Sequence, residues 1–130
     1  MHELETAASE DSLDAVHDLL DHAWAVDADV SVRDRMAFAT AVAEVAANIV
    51  EHASRGEPVR MRVVLHVRDD RIEAHFEDRG RPYEPPPPGP EDELADSGRG
   101  LGMVRQLVDL VAYERDGPLN RWVLSRARSG

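Results

Sequence analysis

The 130-residue sequence predicts an α+β fold, a two-layer α/β sandwich with helices packed on one face of a mostly antiparallel sheet. Three observations predict it. Apolar residues recur at helical spacing up to Gly56, alternation with a period of two takes over from Val59, and a further helix followed by a second alternating pair closes the chain.

In order, "DSLDAVHDLLDHAWAV" sets Leu13, Val16, Leu19, Leu20, Ala23 and Trp24 on one stripe, with Asp11 or Ser12 as the expected N-cap. The preceding "MHELETAA" offers a short strand or none. A turn-like "DADVSVRD" leads into "RDRMAFATAVAEVAANIVEHASRG", a longer helix expected to stop at Gly56. "VRMRVVLHVRDDRIEAHFED" reads as two strands joined by a tight turn at Asp69-Asp70, with His66 and His75 expected to oppose each other across the hairpin. The segment "RGRPYEPPPPGPEDELADSGRG" holds six of the eight prolines and reads as a long loop. "LGMVRQLVDLV" resumes a helical stripe through Leu101, Val104, Leu107, Val108 and Val111, and "VAYERDGPLNRWVLSRA" forms a hairpin around Asp116-Gly117. No internal repeat or dividing linker is visible, so residues 1–130 are expected to form a single domain.

Bulk composition narrows the function classes. A chain that is 42% hydrophobic and 32% charged fits one globular domain with one core. The absence of cysteine removes disulfides, thiolate metal sites and cysteine nucleophiles. A formal net charge of -11 argues against direct binding to nucleic acid or an anionic membrane, both of which demand Lys and Arg. No apolar run approaches a membrane span and the start lacks the regions of a signal peptide, so a cytoplasmic location is expected.

Three groups of residues invite a chemical reading, and each has a bland alternative. On a wheel with ~100° per residue, Glu44, Asn48 and Glu51 share one face of the second helix, with His52 at its margin. Phe38, Val42, Val45, Ala46, Ile49 and Ala53 lie opposite, so the polar stripe is explained equally well as the wet side of an amphipathic helix. Asp78 ends a strand and Gly80 opens the long loop. A carboxylate there can accept a hydrogen bond from an exocyclic amine, and Gly80 permits close approach of a flat ring. The alternative is an ordinary Asp-x-Gly turn. Gly98, Gly100 and Gly102 precede a helical pattern, where free N–H groups suit phosphate and Arg99 adds a charged clamp; glycine-rich turns nonetheless start many helices.

The order of these groups resembles the N, G1 and G2 boxes of the GHKL ATPases, which share the Bergerat fold. The resemblance runs from about Leu13 to Leu124 and is most specific in "AVAEVAANIVEHA", "FEDRGRPYEP" and "GRGLGMVRQLVDLVAY". Within that family it looks most like the anti-sigma factor serine/threonine kinases. The resemblance implies that Glu44 is the general base, Asn48 a Mg²⁺ ligand, Asp78 and Gly80 the adenine-reading pair, and Gly98, Arg99, Gly100 and Gly102 the phosphate loop. Glu51 and His52 would support the site from behind, and residues of about 83–97 would form the ATP lid.

The same resemblance implies ATP and Mg²⁺ as cofactors and a STAS-domain anti-anti-sigma protein as the phosphorylated partner. An RNA polymerase sigma factor would be the sequestered one, and a homodimer the assembly. In three places the sequence departs from the family pattern. Asp96 and Ser97 stand where some kinases carry a basic residue, Val123 stands at the expected position of an adenine-side threonine, and the opening strand is short. These departures motivate an alternative, a partner-sequestering module, ATP-binding or nucleotide-free, that has no kinase activity. A histidine-kinase catalytic module is disfavoured because no dimerisation helix with an acceptor histidine accompanies it.

Overall fold

The computed structural model describes residues 1–53, 59–82 and 96–129; the side chains of residues 10, 52, 53 and 96–101 are outside the description. The elements follow the order β1 (His2–Ala7), α1 (Glu10–Val26), α2 (Val32–Ala53), β2 (Arg60–Val67), β3 (Arg71–Asp78), α3 (Asp96–Leu107), β4 (Leu110–Asp116) and β5 (Leu119–Ala127). The five strands form one sheet in the order β1-β2-β3-β5-β4, with every neighbouring pair antiparallel. This is the α+β sandwich that the sequence predicts.

Alternation along the strands decides where the core lies. Met61, Val63 and Leu65 of β2, Ile72, Ala74 and Phe76 of β3, and Trp122 and Leu124 of β5 are buried against the helices. The helices answer with Val16, Leu20 and Ala23 of α1, Phe38, Val42, Val45, Ala46 and Ile49 of α2, and Val104 of α3. Trp24 stands edge-on to Phe38 with ring centroids 6.4 Å apart. Such interlocked apolar faces are the main stabilising term in a chain without cross-links.

The other face of the sheet is uncovered by helices and carries charge. One row runs across it in register: Glu5, Arg62, Glu77, Arg121 and Glu114, one residue from each strand. Arg121 Nε lies 3.6 Å from Glu77.

Several local expectations are corrected. The opening segment is a full edge strand, β1, paired with β2 over six residues. Its apolar signal is weak, and beside the backbone ladder Arg62 lies on Glu3 at 2.9 Å and Arg60 on Glu5 at 3.4 Å. The N-cap of α1 is Ser9. Ser12 instead sits buried in the first turn, where its hydroxyl accepts from the Ser9 N–H at 2.9 Å and donates back to Ala7 O. The expected stop of α2 at Gly56 lies outside the described residues. His66 and His75 are diagonal, not opposite: the register sets His66 against Glu73 and His75 against Val64, and the rings meet edge-on at 5.4 Å. Val111 belongs to β4, not to the helix before it, because Asp109 N–H already donates to Ser125 O at 2.8 Å.

The start of α2 is tied to the end of the chain. Ser31 Oγ accepts from the Asp34 N–H at 3.1 Å, capping the helix. The buried Asp34 carboxylate accepts from Arg126 Nε at 3.0 Å, Ser129 N at 2.9 Å and Ser129 Oγ at 2.9 Å. Burial pushes the Asp34 carboxyl up, but the bonds from Ser129, Arg126 and Ser31 outweigh it and lower it from 3.8 to about 2.

Candidate functional site

Asp78 is the last residue of β3 and shares the phase of Ile72, Ala74 and Phe76, so its carboxylate points to the helix side and is only 7% exposed. A carboxylate in that position needs donors. The Gly80 N–H supplies one at 2.8 Å and Asn120 Nδ2 another at 2.9 Å, and both land on Oδ1. Gly80 suits this turn: a Cβ there would stand 2.9 Å from Asp78 Oδ1, so the carboxylate would have to shift.

Asn120 is directly opposite Asp78 in the β3–β5 register and is almost fully buried. Its Nδ2 also donates to Arg81 O at 2.8 Å and Gly80 O at 3.3 Å. Its Oδ1 accepts from the Tyr113 hydroxyl and from Arg115 Nη1, the latter at 3.1 Å. Arg115 Nη1 reaches on to Gly80 O at 2.7 Å, while its Nε holds Gly117 O at 2.8 Å. Gly117 has φ +57°, the left-handed conformation that its hairpin turn demands. The β4–β5 hairpin thus grips the turn after Asp78 through Asn120, Tyr113 and Arg115.

None of these three residues was singled out by sequence reasoning, although a signal existed. In "NRWVLSR" Asn120 shares the phase of Trp122 and Leu124, so a polar side chain falls on the buried face of a strand. That same phase corrects the reading of Val123. Its partners in register are His75 and Ala112, which belong to the open face, so Val123 is on the side of the sheet away from Asp78.

Glu44 and Asn48 lie one turn apart on α2, both half-buried, and their Cβ atoms are roughly 5–6 Å apart by helix geometry. The structure therefore brings these two together on one stripe at the edge of the core. Glu51 is exposed toward the end of the same helix, and the His52 side chain lies outside the described residues. Hard oxygen donors at Glu44 and Asn48 are of the type that magnesium accepts alongside waters and phosphate oxygens. Among the described residues no group of three or more His, Cys, Asp or Glu could hold a metal ion, and the rings of His66 and His75 meet edge-on across the hairpin.

Gly98, Gly100 and Gly102 do not precede α3; they are within it. Glycine weakens a helix by about 1 kcal/mol relative to alanine without forbidding it. From the fifth residue onward each N–H is assigned to the carbonyl four residues back, which takes up the Gly100 and Gly102 amides and leaves the Gly98 N–H in the open first turn. Gly102 is exposed, and a Cβ added there would meet nothing within 4 Å. The Arg99 side chain lies outside the described residues, as does the expected lid of about 83–97 except for Asp96 and Ser97, whose backbone opens α3.

The chain belongs to the histidine kinase-like ATPase domain family, whose model matches residues 6–125. Among solved structures it is similar to the RsbU and RsbW domains of Rv1364c from Mycobacterium tuberculosis, with a TM-score of 0.66 at 18% identity. That match covers all of this chain but 34% of the other, so this chain spans about a third of that protein's length. No curated protein matches it. Among the described residues no helix is long and apolar enough to cross a membrane.

Proposed function

We propose that the protein binds Mg-ATP and acts as a serine/threonine kinase on a STAS-type anti-anti-sigma partner, sequestering an RNA polymerase sigma factor in the same switch. The observation that carries this reading is Asp78, a buried carboxylate whose protein donors both fall on Oδ1. Within an ATPase-family chain, such a group fits the exocyclic amine of adenine.

Each residue then has a task. Asp78 reads the base, with Gly80 allowing its turn. Asn48 offers an amide oxygen to Mg²⁺, which when bound neutralises phosphate charge. The Gly98 N–H in the first turn of α3 faces phosphate, with Arg99 and Gly100 beside it, while Gly102 lies further along the helix. Glu44 takes the proton of the attacking hydroxyl as its oxygen bonds to the terminal phosphorus and ADP leaves. Glu51 and His52 support this stripe, and residues of about 83–97 close over the nucleotide. Phosphoryl transfer asks chiefly for positioning and charge neutralisation, which such a set supplies. A cytoplasmic location and a homodimer complete the proposal; β1 is an opening strand of the kind that often contributes to dimerisation in relatives.

Incubation with Mg-ATP and a STAS partner tests it. Phosphate incorporation should appear by mass spectrometry and fall on the order of 10²- to 10⁴-fold in Glu44→Ala, the usual range for a removed general base. Full transfer by the variant would remove Glu44 from the mechanism. The helical state of Gly98–Gly102, with Asp96 and Ser97 in place of a basic residue, favours a second reading, a partner-sequestering module without transfer. Nucleotide binding without phosphate incorporation would select that second reading.

A further inference from the structure

The hydrogen-bond chain behind Asp78 has a direction. Asn120 Nδ2 faces three acceptors, Asp78 Oδ1, Gly80 O and Arg81 O, while its Oδ1 faces two donors, the Tyr113 hydroxyl and Arg115 Nη1. Reversing the amide would set oxygen against Asp78 Oδ1, Gly80 O and Arg81 O and NH2 against Arg115 Nη1, with only the Tyr113 hydroxyl able to adapt, so the network itself fixes the orientation. The Tyr113 ring is packed on Trp122 at 4.8 Å, which anchors the far end of the chain on a core residue. At the near end, both donors to Asp78 are committed to Oδ1, and among the described residues Oδ2 receives none.

We infer that Tyr113 and Asn120 are positioning residues that hold the Asp78 carboxylate with one oxygen locked by the protein and the other presented to the bound base. The pocket consequently selects a purine with a 6-amino group over one with a 6-oxo group. The inference rests on the proposed reading of Asp78 as the base-contacting carboxylate. A carboxylate oxygen is an acceptor only. It pairs with an amine N–H and repels a carbonyl oxygen, and sites built around such a polar contact discriminate far more strongly than apolar pockets. Without the Asn120 amide, Asp78 Oδ1, Gly80 O and Arg81 O would converge with their shared donor gone, and the carboxylate would rotate away.

The test compares the affinities of ATP and ITP, in which the 6-amine becomes a carbonyl and N1 gains a proton, by calorimetry, with thermal unfolding measured alongside. The wild type should prefer ATP. Asn120→Ala should lower the ATP-to-ITP affinity ratio on the order of tenfold, and Tyr113→Phe by about threefold, as expected for a bond to a charged group and a neutral one. Tyr113→Phe keeps the ring that packs on Trp122, so it carries the test if Asn120→Ala does not fold. Equal losses for both nucleotides, with the ratio unchanged, would mean a merely structural role and overturn the inference. Asp78→Asn separates the two levels. If it abolishes ATP preference while Asn120→Ala and Tyr113→Phe leave the ratio intact, the relay alone is wrong; if it leaves ATP affinity untouched, the site reading is wrong as well.

Discussion

Asp34 and Asp78 are both buried carboxylates, at opposite ends of the chain's logic. Asp34 receives donors on both oxygens, one of them the Arg126 cation, so its charge is compensated and its valences are filled. Asp78 receives two neutral donors, both on one oxygen. Burial is the same in kind; the difference lies in what is left over. A carboxylate fully used by its own protein is an architectural clamp, whereas Asp78, whose Oδ2 receives no donor among the described residues, is the one to which the proposed site assigns a ligand.

The sharpest way to break this contrast is to strip the clamp of its cation. Arg126→Met leaves Asp34 buried beside hydroxyl and amide donors alone, and the expected loss is about 3–5 kcal/mol of stability, measured by urea unfolding. Nucleotide affinity in the folded fraction should not change; a parallel fall in affinity would show that the two ends are not separable.

Acid titration gives the next effect. The Asp34 carboxyl lies at about 2 in the folded chain against 3.8 when free, so its contribution is fully present above the unfolded value and is lost as pH falls from 3.8 through about 2. The shift corresponds to about 2 kcal/mol, and unfolding free energies measured across that window should show it. In Asp34→Asn this acid-dependent loss should shrink by about the same amount.

The smallest effect contrasts two glycines. Gly80→Ala places a methyl 2.9 Å from Asp78 Oδ1 and should displace the carboxylate, weakening ATP binding several-fold while costing about 1 kcal/mol or less. Gly102→Ala meets nothing and sits in a helix, so it should stabilise the protein by about 0.5–1 kcal/mol and leave ATP affinity alone. Calorimetry beside unfolding curves distinguishes them. A drop in ATP affinity for Gly102→Ala would return that residue to the phosphate site.

Periodicity made the two long helices and both hairpins legible, because an apolar stripe facing a core is written in one stretch of chain. What the sequence hid were features whose stabilisation comes from distant partners. Strand β1 is held by its ladder to β2, more than fifty residues away in sequence, and by Leu4 against the core. The helical state of Gly98–Gly102 runs against glycine's local preference. At the site, Asp78 and the Glu44–Asn48 stripe were visible as a motif, while Asn120, Tyr113 and Arg115 have meaning only once β4 and β5 are laid beside β3. The misplacement of Val123 was a one-residue error of phase, which in a strand means the wrong face.

The charged row on the open face has its own consequence. Glu5, Arg62, Glu77, Arg121 and Glu114 alternate in sign from edge to edge, so an exposed surface in a strongly acidic chain is kept almost neutral along that line. The row also works as a key for assembly. Sliding β5 by two residues along β3 would set Arg121 against His75 or Arg79 instead of Glu77, exchanging an attractive cross-strand pair for a neutral or repulsive one. Since the turn after Asp78 is gripped from β5, the pattern of charges on one side of the sheet selects the strand alignment that brings Asn120 to Asp78 on the other.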